Sequence, residues 1–137
     1  MGLYLCVFDG DEEVDGVEVG HYADFNNIRS YVVRELEGGQ AGRRYPAFIM
    51  HADSDGEWDV SECKKLKIEL EAIMTAMKGR PALEFTSDWQ RFVATKMGVA
   101  PRNAFESFID VDGEFVLERI DGLVDVALQR GLPILFQ

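Results

Sequence analysis

The chain has 137 residues, 47% of them hydrophobic and 28% charged, and a formal net charge of −11 at pH 7. That length suits one domain with a real core, here 1–137, and the composition is ordinary for a soluble globular protein. The acidic balance argues against nucleic acid, whose phosphates need a basic surface, and against anionic membranes; no apolar run approaches the ~20 residues of a membrane span.

In chain order, LYLCVF (3–8) is an apolar run rich in strand formers, closed by the turn pair Asp9-Gly10. VEVG (17–20) is a candidate return strand, although DGDEEVDG makes a long hairpin loop. The start has no basic segment ahead of its apolar run, so it does not read as a signal peptide and a cytoplasmic location is expected. ADFNNIRSYVVRELEGG reads as a helix beginning at Ala23 or Asp24: Phe25, Ile28, Val32 and Leu36 share one face, and Gly38-Gly39 ends it. AFIMH (47–51) is expected as a buried strand.

SECKKLKIELEAIMTAMKG follows, with Leu66, Leu70, Ile73, Met74 and Met77 in a helical stripe stopped by Gly79 and Pro81. ALEFT (82–86) is short and strand-like. SDWQRFVATKMG (87–98) reads as a helix opened by Ser87, with Trp89, Phe92, Val93 and Met97 turned inward. EFVLERIDGLVDVALQRG is a helix whose apolar face runs from Phe115 or Val116 through Ile120, Leu123, Val124, Ala127 and Leu128 to a Gly131 cap. LPILF (132–136) is a last strand whose apolar run suggests burial on both faces. Strands separated by helices predict an α/β or α+β sandwich, a three- to four-stranded sheet with about four helices.

Cys6 and Cys63 are too few for a disulfide framework, and with two histidines at unsuitable spacings they make no zinc motif. The stretch HADSDGEWD (51–59) is denser in chemistry, with one histidine, four carboxylates and a tryptophan. Read as a calcium loop ending its first half at Gly56, it puts His51 where the first oxygen ligand belongs. Asp11, Glu13 and Asp15 before Gly16 fit better, but position 12 is then Tyr22. Neither a metal nor a cofactor is expected. As a catalytic site, His51 has Asp53 and Asp55 two and four residues on, so a small metal-dependent or acid–base hydrolase is the alternative reading. No G-x-S-x-G elbow, P-loop or G-x-G-x-x-G accompanies it. The structural reading explains more: 53–56 are turn formers, Asp59 and Glu62 fit a capping box, and Trp58 is placed to staple the helix near Cys63.

LYLCVFDGDEE, HADSDGEW before a Leu-rich helix, EFTSDWQ, and FIDVDGE with LPILFQ at the close together resemble bacterial immunity proteins of polymorphic toxin systems, immunity protein family 70 in particular. The likeness runs from Gly2 to Gln137. The resemblance implies a protein that binds a cognate toxin inside the producing cell and blocks it, with no catalysis of its own. It supplies no functional residue to carry over.

Charge placement agrees with a basic protein partner, such as a nuclease domain whose cleft an acidic surface would mimic phosphate to fill. Residues 1–28 hold seven carboxylates, 51–62 five and 104–118 five, and none of these segments has a Lys or Arg. If 3–8 and 47–51 are parallel strands, the loops after them emerge at one sheet edge. Asp9, Asp11, Glu12, Glu13, Asp15, Asp53, Asp55 and Glu57 then form one toxin-binding surface above a structural His51. A homodimer through an exposed strand edge is a third reading.

Overall fold

The computed structural model describes residues 2–137. β1 (Gly2–Asp9) turns through Gly10 and Asp11 into β2 (Glu12–His21), so the hairpin is tight and the carboxylates expected in a long loop already belong to a strand. α1 (Tyr22–Leu36) follows at once, then a one-turn α2 (Pro46–Ile49), a two-residue β3 (Glu57–Trp58), α3 (Val60–Lys78) and α4 (Asp88–Met97). A 3-10 turn at Phe105–Ser107, α5 (Val116–Arg130) and β4 (Ile134–Phe136) complete the chain. The strands form one sheet in the order β2-β1-β4-β3 with every neighbouring pair antiparallel, an α+β arrangement.

Strand alternation decides what each sheet face does. Leu3, Leu5 and Val7 of β1, with Val17 and Val19 of β2, Ile134 and Phe136 of β4 and Trp58 of β3, are buried in one hydrophobic cluster. The same cluster contains Phe25, Ile28 and Val32 of α1, Leu66, Leu70, Ile73 and Met77 of α3, and Ile120, Leu123, Val124 and Ala127 of α5. These three helices therefore cover one face of the sheet, on the stripes that the helical spacing predicts. Tyr4, Cys6, Phe8 and Leu135 alternate to the other face, and none of them joins that cluster.

The elements start and stop for local reasons. Asp59 accepts the Glu62 amide at 2.8 Å while Glu62 reaches back to the Asp59 amide, a reciprocal capping box that opens α3. Trp58, wholly buried, donates its indole N–H to the Ala47 carbonyl, and the Cys63 thiol lies 3.6 Å from the Trp58 carbonyl. Ser87 caps α4, and Gly98 and Gly131 end α4 and α5 in the left-handed conformation.

Four expectations are corrected. The segment 47–51 is no strand: Pro46 starts a helical turn, and Glu69 on α3 accepts the Ala47 and Phe48 amides at 3.1 and 3.0 Å. That carboxylate serves as an N-terminal cap supplied from another helix, which spacing along the chain does not reveal. The segment 82–86 pairs with no strand and runs beside the 3-10 turn, where Leu83 N–H donates to Ser107 Oγ. On α4, Phe92 and Met97 point outward, 68% and 59% exposed, because the helix packs on its Gln90 and Ala94 side. β4 lies inside the sheet, yet Leu135 is only half-buried because no helix covers its face.

Leu70 is wholly buried midway along the α3 stripe. Leu70→Ala is expected to cost about 2–5 kcal/mol of unfolding free energy by urea denaturation; a loss under about 0.5 kcal/mol means that the stripe does not pack as described.

Candidate functional site

The face of the sheet opposite α1, α3 and α5 lies outside the helix-packed core. Register places Tyr4 beside Glu18, Cys6 beside Gly16 and Leu135, Leu135 beside Glu57, and Phe8 beside Glu13. Tyr4, Phe8 and Leu135 are half-buried, and Glu13, Glu18 and Glu57 are exposed. The face is thus a row of aromatic and aliphatic side chains bordered by carboxylates, and none of these residues is Lys or Arg.

Its geometry depends on Gly16. A Cβ there would meet the Tyr4 hydroxyl at 2.0 Å, so the missing side chain lets the Tyr4 ring lie flat across β2. The phenol then donates to Glu13 Oε1 at 2.6 Å. This hydrogen bond, with burial, pushes the Tyr4 phenol up to about 12, so it remains a donor at any physiological pH. Cys6, paired with Gly16 where the Tyr4 ring lies, is wholly buried although it is outside the helix-packed cluster.

At the α1 end of the face, α4 builds a wall. Gly20 has φ +124°, and a Cβ on it would meet the Trp89 ring at 2.7 Å. The indole therefore rests directly on backbone, and its N–H donates to Asp24 Oδ2 at 3.2 Å. The same oxygen accepts the His21 amide at 2.8 Å. Between these groups lies a cleft of about 370 Å³, lined among others by Tyr4, Glu18, Gly20, His21, Trp89 and Val111.

The eight carboxylates expected to share one edge are divided. β1 and β3 are each antiparallel to β4 and so run parallel to one another. Residues 10–11 follow the C-terminal end of β1, whereas 53–56 precede the N-terminal end of β3, and β2 and β3 are the two outer strands. Asp9, Asp11, Glu12 and Glu13 therefore gather at one end of the sheet, and Asp53 and Asp55 lie at the other end and the other edge. Asp15 accepts the Gly16 amide at 2.8 Å, and Asp53 accepts Asn26 Nδ2 at 2.6 Å, so both have structural partners. Glu13 and Glu57 do share a surface, but it is the open face and not an edge.

His51 does the work of a fastener. Its ring stacks on Phe136 with centroids 4.1 Å apart, and Nδ1 and Nε2 lie 2.8 and 2.9 Å from the Ala52 and Glu57 carbonyl oxygens. Both nitrogens face backbone acceptors, which leaves neither directed at a substrate. Asp53 and Asp55 make no hydrogen bond to it among the described residues, and Arg29 holds the same loop through the His51 and Ile49 carbonyls. Among the described residues no group of three or more His, Cys, Asp or Glu side chains could hold a metal ion.

Both sheet edges are partly closed. His51 takes the outward Glu57 carbonyl of β3, while on β2 the Val111 amide donates to Glu18 O and Arg119 to Gly16 O. Asp110 shapes the 110–114 loop by accepting the Asp112 and Glu114 amides, and burial raises its carboxyl above the usual range.

The profile of one protein family, described as Immunity protein 70, matches residues 3–136. The chain belongs to the immunity protein 70 family. No curated protein and no solved structure matches it. Sequence reasoning named the hairpin acids and did not single out Tyr4, Glu18 or Trp89, which line the open face and its cleft. The alternation Tyr4, Cys6, Phe8 along β1 carried a signal, because those residues must face away from Leu3, Leu5 and Val7.

The thiols offer a test of the open face. Burial pushes the Cys63 thiol up to about 11 and also raises Cys6, which suppresses the reactive thiolate in each. Native protein at pH 8 is expected to react slowly with iodoacetamide at both positions. Tyr4→Ala is expected to speed Cys6 labelling by about tenfold or more, read by peptide mass spectrometry, and to leave Cys63 slow. An unchanged Cys6 rate means that Tyr4 is not its cover.

Proposed function

We propose that this chain is a non-catalytic cytoplasmic inhibitor that binds a cognate toxin of basic surface through the open sheet face and the adjoining 9–13 hairpin. The observation that carries the reading is the open face itself: half-buried Tyr4, Phe8 and Leu135 bordered by Glu13, Glu18 and Glu57, with no cation among them. An apolar centre with a charged rim is the anatomy of a protein-binding patch. Membership of an immunity protein family supports a toxin as the occupant. The net charge of −11 favours a basic partner, of which a nuclease domain is one kind.

The hydrolase reading has no support in the His51 geometry, since both ring nitrogens face backbone carbonyls of the loop they fasten. No helix among the described residues is long and apolar enough to cross a membrane.

The test begins with co-expression: the chain is expected to restore growth to cells producing the toxin encoded beside it. Two variants then probe the surface, Asp11, Glu12 and Glu13 replaced together by Ser, and Asp55 with Glu57 likewise. Asp15 and Asp53 are left alone because each accepts an amide N–H within the fold, whereas Glu13, which accepts the Tyr4 hydroxyl, stands on the probed face itself. The hairpin variant is expected to associate about tenfold more slowly at low salt, the deficit shrinking as salt rises. Folded variants that both bind at the wild-type rate with the wild-type salt dependence exclude this face as the toxin contact.

A further inference from the structure

We propose that the cleft between Trp89 and Glu18 is an anchor pocket for one arginine side chain of the partner, an assignment that rests on reading the open face as the binding surface. The cleft, about 370 Å³, is large enough for a single long side chain. Its aromatic boundary is the Trp89 indole, against which a planar guanidinium can stack. That indole is already fixed, below by Gly20 and at its N–H by Asp24, so little order has to be gained on binding.

Charge selects the occupant. Glu18 lines the cleft, is exposed, and its carboxylate makes no hydrogen bond or ion pair among the described residues. Asp24 is buried behind it, with one oxygen shared by the Trp89 indole and the His21 amide. Glu18 is the one carboxylate in the lining, and among the described residues that lining has no Lys or Arg, with His21 the one side chain there that can add positive charge. An aliphatic occupant would leave Glu18 unmatched, and a phosphate would meet like charge. A guanidinium supplies both a flat face for the ring and paired N–H donors for a carboxylate. The position also fits an interface hot spot, which is typically an aromatic or Arg anchor in a pocket bordered by weaker contacts.

Trp58 is wholly buried, so Trp89 is the fluorophore able to report directly on the cleft. The full chain would be titrated with a hexa-arginine peptide and, separately, with its hexa-citrulline counterpart, which keeps the shape and lacks the charge. Saturable change in Trp89 emission with arginine and none with citrulline is expected. Glu18→Gln should weaken that binding by about tenfold or more, while Glu84→Gln, an exposed carboxylate elsewhere, should bind as wild type. Calorimetry on Trp89→Phe replaces the lost fluorescence and should show partial retention, because a smaller ring remains. Equal binding of citrulline, or wild-type affinity in Glu18→Gln, overturns the proposal. So does self-association of the protein alone that Glu18→Gln abolishes, because the occupant is then a second copy. The toxin that passes the co-expression test separates the two levels. If Glu18→Gln binds it with wild-type affinity and still protects cells, the anchor is wrong and the immunity reading stands. If wild type neither binds nor protects, the immunity reading fails for that toxin while the peptide titration still decides the pocket.

Discussion

Leu3, Leu5 and Val7 point to one side of β1, Leu5 pairs with Val17 and Phe136 in the ladder, and Ile134 is buried in the same cluster. Helices with apolar stripes have to lie on that side, and α1, α3 and α5 all do. An antiparallel sheet tolerates this one-sided covering, because one face can be left to water while the other builds the core. The consequence is a face whose composition is not dictated by packing. What stands there can be chosen for binding, and what stands there is Tyr4, Phe8 and Leu135 among Glu13, Glu18 and Glu57.

Two buried carboxylates hold the part of the chain that has no regular structure to hold it. Glu37, at the end of α1, accepts the amides of Gly42, Arg44 and Tyr45, and Glu69 accepts those of Ala47 and Phe48. Buried amides without partners are costly, so each carboxylate satisfies several at once. Desolvation raises the Glu69 carboxyl above the usual carboxylate range, and the two amides draw it back down. Ionised Glu69 therefore costs something in burial, and the share of stability linked to its proton is present at low pH and lost as pH rises through its folded value. Its two hydrogen bonds explain why the charge is kept there.

What was legible in the sequence had short physical range. The α3 stripe, its Asp59–Glu62 box and the Gly131 stop need only neighbours three or four residues away, and all were readable. AFIMH was misread because its fate depends on Pro46 together with Glu69, which stands more than twenty residues downstream. Phe92 and Met97 were misread because α4 is amphipathic in pattern yet packs through Gln90 and Ala94. The site suffered most. Whether 9–13 and 53–57 meet depends on strand order, and β4, the last element of the chain, inserts between β1 and β3. No local pattern encodes that insertion.

The acidity of the chain then separates into two kinds by what each carboxylate touches. Asp11 and Glu12 stand exposed at the hairpin with no partner fixing them, so their field acts over roughly a Debye length and fades with salt. Glu18 is different because it stands beside a rigid indole in a cleft with low-dielectric walls, where a charge contact is screened less. On the proposed reading the first kind would steer a partner toward the face without selecting its register, since any basic patch responds to it. The second kind would select register, because the proposed guanidinium would have to enter one cleft at one angle. A single face with diffuse charge at the hairpin end and a focused, aromatic-backed charge at the α4 end can therefore divide capture from recognition. Gly16 and Gly20 make this division geometrically available: one lets Tyr4 lie flat between the two ends, and the other lets Trp89 close the second.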